Sequence, residues 1–97
     1  MLTPKQKQFL KGLAHPFSPV VRIGKAGLTP AVIKEAKNSL EAHELIKVRI
    51  DADDAAMRTS IAEGLARAAD ASIAAMIGKL AILYRARQEN PKIVLPK

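Results

Sequence analysis

The stretch from residue 20 to residue 51 constrains the fold most, because it reads in succession as a strand, a glycine loop, a helix and a second strand. Val20–Ile23 is apolar and β-branched, which is typical of a short buried strand. Thr29-Pro30 supplies an N-cap and then the proline favoured at the first helical position, and predicts a helix over residues 30–43. Leu45–Asp51 alternates apolar and basic residues, as a strand does. Successive strands joined through a helix predict a sheet with helices packed on it.

Two more helices flank this unit. Thr3-Pro4 repeats the cap-and-proline pattern and predicts a helix over residues 4–14. Asp53 and Asp54 suit the start of a helix over residues 54–69, because acidic groups are favourable at a helix N-terminus. Apolar residues at helical spacing predict the buried faces of the three helices: Phe9, Leu10 and Leu13; Ile33, Ala36 and Leu40; Met57, Ile61, Leu65 and Ala68. In the second strand, the alternation predicts a buried face of Ile46, Val48 and Ile50 and an outer face carrying Lys47 and Arg49.

The last third of the chain is more ambiguous. Residues 71–77 are rich in alanine and could form a helix by propensity alone. Gly78-Lys79 interrupts them and residues 80–85 read as a strand, so we favour two strands around a Gly-Lys turn. Ile93-Val94-Leu95 could add an edge strand. The element order predicts one α/β domain over residues 1–97, a two-layer sandwich.

Charge gives the first indication of a partner. The formal net charge is +7, and residues 1–50 carry nine basic and three acidic side chains, whereas residues 51–97 carry seven and six. A one-sided positive surface is typical of a polyanion-binding protein, although a highly soluble basic surface explains the charge alone equally well. No predicted helix sets a bulky apolar face against a lysine-rich one, which disfavours a membrane surface as the partner. Aromatic residues make up only 3% of the chain, which argues against a platform of stacked bases.

Several classes of protein are disfavoured. Cysteine is absent, so disulfides and thiolate metal sites are excluded, and two histidines are too few to suggest a metal centre. The chain shows no signal peptide and no apolar run long enough for a membrane span, so we expect a cytoplasmic protein. Asp53-Asp54 is explained by helix capping, and no nucleophile lies in an evident arrangement with a base. We therefore expect neither an enzyme nor a cofactor.

The best candidate for a binding site is Gly24-Lys25-Ala26-Gly27. Two glycines where a strand meets a helix can bring backbone N–H groups and a helix N-terminus close to a phosphate. A tight turn without a ligand is the alternative, and the loop lacks the Gly-Lys-Ser/Thr ending of a nucleotide-binding P-loop. Its context favours a function, because Arg22 precedes the loop and Lys34 follows it in the predicted helix. A GXXG loop beside a helix is how KH domains hold a nucleic-acid backbone.

A more specific resemblance spans essentially the whole chain. The sequence resembles the CRM domain, and its length resembles that of the bacterial stand-alone YhbY family. The matching segments are Leu2–Gln6, Pro19–Thr29, His43–Val48, Ile77–Lys79, Leu83–Arg85, Asn90–Ile93 and Leu95-Pro96. The resemblance implies an α/β fold with a four-stranded mixed sheet, similar to the C-terminal domain of translation initiation factor 3. It also implies RNA binding and a role in ribosome assembly on precursors of the large subunit.

The resemblance maps the family's GXXG loop onto Gly24, Lys25, Ala26 and Gly27, and we expect neighbouring cations to extend the RNA contact. The first group of these is Arg22, Lys5, Lys7, Lys11 and Lys34; the second group, which solvated strand faces and turns explain equally well, is Lys47, Arg49, Lys79 and Arg85. We expect RNA as the partner, a monomer, and no membrane, metal or small-molecule substrate. The alternative function is an adaptor that docks on a ribosomal or assembly protein without reading RNA.

Overall fold

A computed structural model describes residues 2–97, which form three helices and four strands. In chain order these elements are α1 (Pro4–Ala14), β1 (Val21–Ile23), α2 (Pro30–His43), β2 (Leu45–Ile50), α3 (Ala55–Ala68), β3 (Ser72–Ile77) and β4 (Leu80–Tyr84). The predicted elements are confirmed, including the alanine-rich segment, which is a strand. The prediction of an edge strand at residues 93–95 is wrong, because no strand follows β4 in the described chain.

In each helix a capping side chain accepts a hydrogen bond from one N–H group of the first turn. The Thr3 hydroxyl accepts from the N–H of Gln6 at 3.1 Å, and the Gln6 side chain accepts from the N–H of Thr3 at 3.0 Å. This reciprocal capping box fixes the start of α1. Thr29 accepts from the N–H of Val32 at 3.2 Å at the start of α2, and Asp54 accepts from the N–H of Ala56 at 3.3 Å at the start of α3. The structure confirms the predicted capping role of Asp54.

The sheet has the strand order β1-β2-β4-β3. β1 pairs with β2 in parallel, and β4 pairs antiparallel with both β2 and β3. The carboxyl ends of β1, β2 and β3 therefore meet at one end of the sheet, together with the turn between β3 and β4. Two hydrogen bonds hold this end together: Asp51 N–H donates to Ile23 O at 2.9 Å and Ile50 N–H to Lys79 O at 2.7 Å. We call it the glycine-loop end, because residues 24–27 leave β1 there.

Helices cover both faces of the sheet. α2 and α3 pack on one face through Ala36, Leu40, Leu65 and neighbouring residues. The α/β fold with a four-stranded mixed sheet is confirmed, and the structure adds α1 on the opposite face, where Leu10 and Ala14 are buried. The alternation predicts a solvated basic face on β2, but α1 covers part of that face and Lys47 on it is buried.

Four predicted core assignments need correction. Phe9 and Leu13 are 38% and 39% exposed, and Met57 is 55% exposed. α1 instead buries Ala14 beside Leu10, because a small residue lets the helix approach the sheet closely. Ala68 is also exposed, because α3 turns Ala62, Leu65 and Ala66 inward.

The chain after β4 is held by a buried carboxylate. Glu44 ends α2 with a positive φ of 65° and is only 1% exposed. It accepts hydrogen bonds from the N–H groups of Lys92 at 2.6 Å, Ile93 at 3.2 Å and Arg87 at 3.3 Å. Burial alone raises the pKa of Glu44, but these three N–H donors and the Arg87 charge outweigh it and lower the pKa below its ordinary value of 4.5. The carboxylate thus anchors the chain at Ile93, and residues 93–95 do not extend the sheet.

The two ends of the described chain also meet. The Gln6 side-chain amide donates to Pro96 O at 3.0 Å, and Leu2, Ile93 and Leu95 pack against the cluster under α1. No helix within residues 2–97 is long and apolar enough to cross a membrane.

Candidate nucleic-acid interface

The glycine loop forms a tight turn at the carboxyl end of β1. The N–H of Gly27 donates to Gly24 O at 3.1 Å, and Gly27 has φ +71°, a conformation that side chains disfavour. Gly24, Lys25 and Ala26 are exposed. A Cβ added at Gly24 would meet nothing within 4 Å and its φ is not positive, so the fold itself does not require glycine there.

Free backbone donors surround this turn. Within residues 2–97, no recorded hydrogen bond uses the N–H of Lys25, Ala26 or Ala31. The α2 N-terminus offers fewer donors than a bare helix end, because Pro30 has no N–H and the N–H groups of Val32 and Ile33 bond to Thr29. The loop and the start of α2 together therefore leave at least these three N–H groups uncommitted beside the exposed Lys25, a set that suits an anion.

The base of the loop rests on α3. Leu28 is partly buried against the main core, and a Cβ added to Gly64 would lie only 2.8 Å from Leu28 Cδ1. Gly64 thus leaves the space that Leu28 occupies, which sets the distance between the loop and α3. Sequence reasoning missed this residue, although a glycine inside a helix is unfavourable and is itself a signal of close packing.

Two arginines share one carboxylate beside the loop. Arg22 and Arg49 are partners across the parallel β1–β2 pair, and their like charges would repel without a counterion. Asp51 accepts from Arg22 Nε at 2.5 Å and from Arg49 Nε at 2.9 Å. The hydrogen bond from Arg22 is the largest of the effects on the Asp51 carboxyl, and with Arg49 it outweighs partial burial and lowers the pKa of Asp51 below its ordinary value. The cluster keeps one net positive charge, and the Arg22 side chain is 71% exposed.

A third loop at this end contributes Lys79, whose Nζ lies 3.6 Å from the fully exposed Asp53. Such a pair in water is weak. Arg58 donates to Ala52 O at 2.7 Å and to Gly78 O at 3.0 Å, which ties the β2–α3 loop to the β3–β4 turn. Sequence reasoning did not select Arg58. The residue could have been noticed because the helix dipole disfavours a cation near a helix N-terminus, so a cation there indicates a specific contact.

The remaining predicted cations fall into separate groups. Lys5, Lys7 and Lys11 are exposed on α1, on the side of the sheet opposite to α2, which carries the exposed Lys34. No ion pair within residues 2–97 involves these four lysines or Lys25. The structure thus does not gather all of the first group at the glycine loop.

Two cations of the second group are used inside the protein. Lys47 is only 8% exposed, and its Nζ donates to His15 O at 3.2 Å. Arg85 donates to Ala69 O at 3.0 Å and to Glu41 at 3.1 Å, which joins the ends of α3 and α2. Both residues are thus tied to the protein's own carbonyl or carboxylate groups.

The fold and this site define a class of small α/β domain, in which a glycine loop links a sheet to a capped helix and carries exposed cations. The family model described as the CRS1 / YhbY (CRM) domain matches residues 2–85. The chain therefore belongs to the CRS1 / YhbY (CRM) domain family.

Individual relatives agree with this assignment. The chain is 45% identical over 96 residues to a Haemophilus influenzae protein named RNA-binding protein, with 99% of this chain and 96% of the relative covered. It is 38% identical to the Bacillus subtilis protein named probable RNA-binding protein YqeI, covering 99% and 100% of the two chains. A solution structure from Staphylococcus aureus, described as a candidate RNA-binding protein, superposes with a TM-score of 0.88 at 38% identity over 99% of this chain and 100% of that chain. These names describe binding rather than a reaction, in agreement with the expectation that the chain is not an enzyme.

Proposed function

We propose that this protein binds RNA and holds the RNA backbone at the glycine-loop end. The observation that carries the proposal is the set of uncommitted N–H groups at Lys25, Ala26 and Ala31, beside a glycine that the fold does not require. A phosphate accepts from such donors, and the missing Cβ at Gly24 lets it approach the backbone. The names of the relatives support RNA as the polyanion.

Nearby cations extend the contact in this proposal. The exposed Arg22 retains guanidinium donors beyond the Nε that faces Asp51, and Lys34 lies in the first part of α2. Lys5, Lys7 and Lys11 form a second basic surface on α1, which a folded RNA reaches by wrapping around the β1 edge. Contacts of this kind read the shape and backbone of RNA rather than its sequence.

We also propose that the RNA is ribosomal, within precursors of the large subunit, and that the whole chain acts in the cytoplasm as one monomeric domain in ribosome assembly. Crosslinking the protein to RNA in cells and sequencing the bound fragments tests the target. Fragments drawn evenly from all cellular RNA would contradict it. Light scattering of the purified protein at working concentration tests the monomer.

The binding site is tested by Lys25→Glu with Lys92→Glu as the matched control. Both residues are exposed and both substitutions change the charge by two units, but Lys92 lies in the tail held by Glu44, at the opposite end of the sheet. Lys25→Glu is expected to weaken binding to a structured RNA about tenfold, and the control much less. Equal losses would mean that net charge alone is sensed.

Gly24→Ala is the sharper variant. The added methyl group has open space in the free protein, so the thermal midpoint should stay within about 2 °C of wild type. RNA affinity should nevertheless fall several-fold, since the methyl group occupies the path of the phosphate. Unchanged affinity of Gly24→Ala would show that no ligand approaches the loop closely.

The adaptor function is tested separately. Association of the protein with ribosomal particles that survives RNase treatment would favour an adaptor over RNA binding.

A further inference from the structure

An apolar cleft lies at the other end of β1 from the glycine loop. It has a volume of about 350 Å³ and is lined by Phe17, Ser18, Val20, His43, Leu45, Ile46 and Lys47. Phe17 is 41% exposed and Val20 is 46% exposed, and both lie in the segment between α1 and β1. Two of the three aromatic residues of the chain, Phe9 and Phe17, are thus left in contact with solvent on the α1 side of the protein.

The polar groups of the cleft are available. Within residues 2–97, no recorded hydrogen bond uses the Ser18 hydroxyl or the His43 ring, and both residues are exposed. Lys47 lies at the cleft with its ammonium turned to His15 O, so it does not place a free charge there. An apolar space with one ring face and two free hydrogen-bonding groups resembles the general composition of small-molecule sites.

The cleft is continuous with the cationic side of the sheet. Val21 and Ile23 are buried in the core under α2, so the alternation along β1 turns Val20 and Arg22 to the opposite face. On β2, Leu45 and Arg49 share that same face for the same reason. The Arg22–Arg49 pair thus stands between the cleft and the glycine loop.

The distances suit one strand of nucleic acid. Gly24 lies four positions after Val20, a distance of about 13 Å along an extended chain at roughly 3.3 Å per residue. That is the length of about four nucleotides stacked at 3.4 Å each. A backbone held at the glycine loop therefore passes Arg22 and reaches the cleft within a few nucleotides.

We propose that this cleft binds one unpaired nucleobase of the RNA; the inference rests on the proposed function and extends it to the form of RNA that is preferred. The base stacks on the Phe17 ring between the apolar side chains, and its edge meets Ser18 and His43. The adjoining arginines favour a polyanion over an apolar peptide segment as the occupant. A base inside a duplex cannot enter the cleft, so RNA with an unpaired segment next to a helix binds more tightly than a continuous duplex.

The experiment compares two RNAs of equal length, a hairpin with an unpaired uridine loop and a blunt duplex. Phe17→Ala is expected to lower affinity for the hairpin about tenfold, the lower range for loss of one base stack, and to leave duplex affinity unchanged. Phe17→Leu keeps the apolar volume but removes the ring, and is expected to lose nearly as much. Val94→Ala, at an 82% exposed apolar residue in the tail, is the control and is expected to bind both RNAs as wild type does.

A direct signal is available because the chain contains no tryptophan. Phe17→Trp is expected to show quenched fluorescence with the hairpin and not with the duplex, whereas Val94→Trp should respond to neither. Equal losses on the two RNAs for Phe17→Ala, or no loss on either, overturn the base site. A Phe17→Ala variant that binds both RNAs normally but loses an RNase-resistant protein partner also overturns it. Lys25→Glu separates the two proposals: if it weakens both RNAs while Phe17→Ala weakens neither, backbone binding stands and only the base site fails.

Discussion

Replacement of Glu44 by glutamine is the most informative test of how the tail after β4 is held. The carboxylate is 1% exposed and accepts three backbone N–H groups, at Arg87, Lys92 and Ile93. Hydrogen bonds to a charged group contribute about 1.5–3 kcal/mol each, although burial of the carboxylate offsets part of their sum. A glutamine oxygen can accept two of the three bonds, but its NH₂ group then faces the third N–H. We expect Glu44→Gln to lower the free energy of unfolding by about 2 kcal/mol.

Glu44→Ala removes every acceptor, yet its effect has an upper limit. The three N–H groups regain water if the tail detaches, so the loss cannot exceed the free energy with which the tail docks. That docking free energy combines the three bonds to Glu44 with the Arg87 bonds to Glu41 O and Ala42 O, about 1 kcal/mol each from half-burial of Ile93 and Leu95, and about 1 kcal/mol from the bond of Gln6 to Pro96; the entropy of ordering the tail offsets much of this sum. We therefore expect Glu44→Ala to lose about 2–4 kcal/mol and to free residues 87–97 before the sheet unfolds.

Urea unfolding gives the free energies, and hydrogen exchange at the amides of Arg87, Lys92 and Ile93 reports the tail. Glu89→Gln is the matched control, because Glu89 is an exposed acid in the same segment whose side chain makes no hydrogen bond or ion pair within residues 2–97. A change of less than about 0.5 kcal/mol in the stability of Glu44→Gln, with those three amides as protected as before, would contradict this role of the Glu44 carboxylate.

The same group sets a pH dependence. Because the folded-state pKa of Glu44 lies below the ordinary 4.5, its stabilisation is fully present above about pH 4.5. It is lost as the pH falls through the folded-state value. Tail amides of wild type should therefore lose protection in acid, whereas those of Glu44→Gln should change little over the same range.

Three further experiments address the glycine-loop end. Gly64→Ala favours the helical conformation of α3, but its methyl group forces Leu28 and the base of the glycine loop to move. It should therefore weaken RNA binding, which RNA titrations of the variant and of wild type measure. Asp51→Asn leaves Arg22 and Arg49 without their counterion, so its thermal midpoint should fall at low salt and recover with added salt, while RNA affinity rises. The logarithm of wild-type RNA affinity should fall with the logarithm of salt concentration with a slope of about −3 to −5, for about five neutralised phosphates. A flat salt response would contradict backbone binding.

Much of the fold could be predicted because its signals are local. The starts of α1 and α2 follow from Thr-Pro pairs, in which the cap and the first helical residue are adjacent in the sequence. Strand β3 was harder, because its alanines favour a helix in isolation and only pairing with β4 makes it a strand.

Features that depend on distant partners could not be predicted. Phe9, Leu10 and Leu13 are all large apolar residues of α1, but the helix buries only Leu10 of these three, together with Ala14, and only the sheet beneath decides which stripe faces inward. Nothing near Glu44 indicates that its carboxylate binds N–H groups more than forty residues later. The glycine loop was recognisable from its spacing, whereas the cleft at Phe17 joins residues from two separate segments, 17–20 and 43–47.

The contact between Gln6 and Pro96 has a consequence for how this domain can be combined with others. Both ends of the described chain lie close together beside Ser72 and Tyr84, at the end of the sheet opposite to residues 24–27. Further domains could therefore be joined at either end without covering the glycine loop. Copies joined head to tail by short linkers would all keep their loops unobstructed, and a tandem dimer should bind a long RNA with avidity while each unit unfolds at the wild-type midpoint. A tandem protein no tighter than the monomer on long RNA would contradict this arrangement.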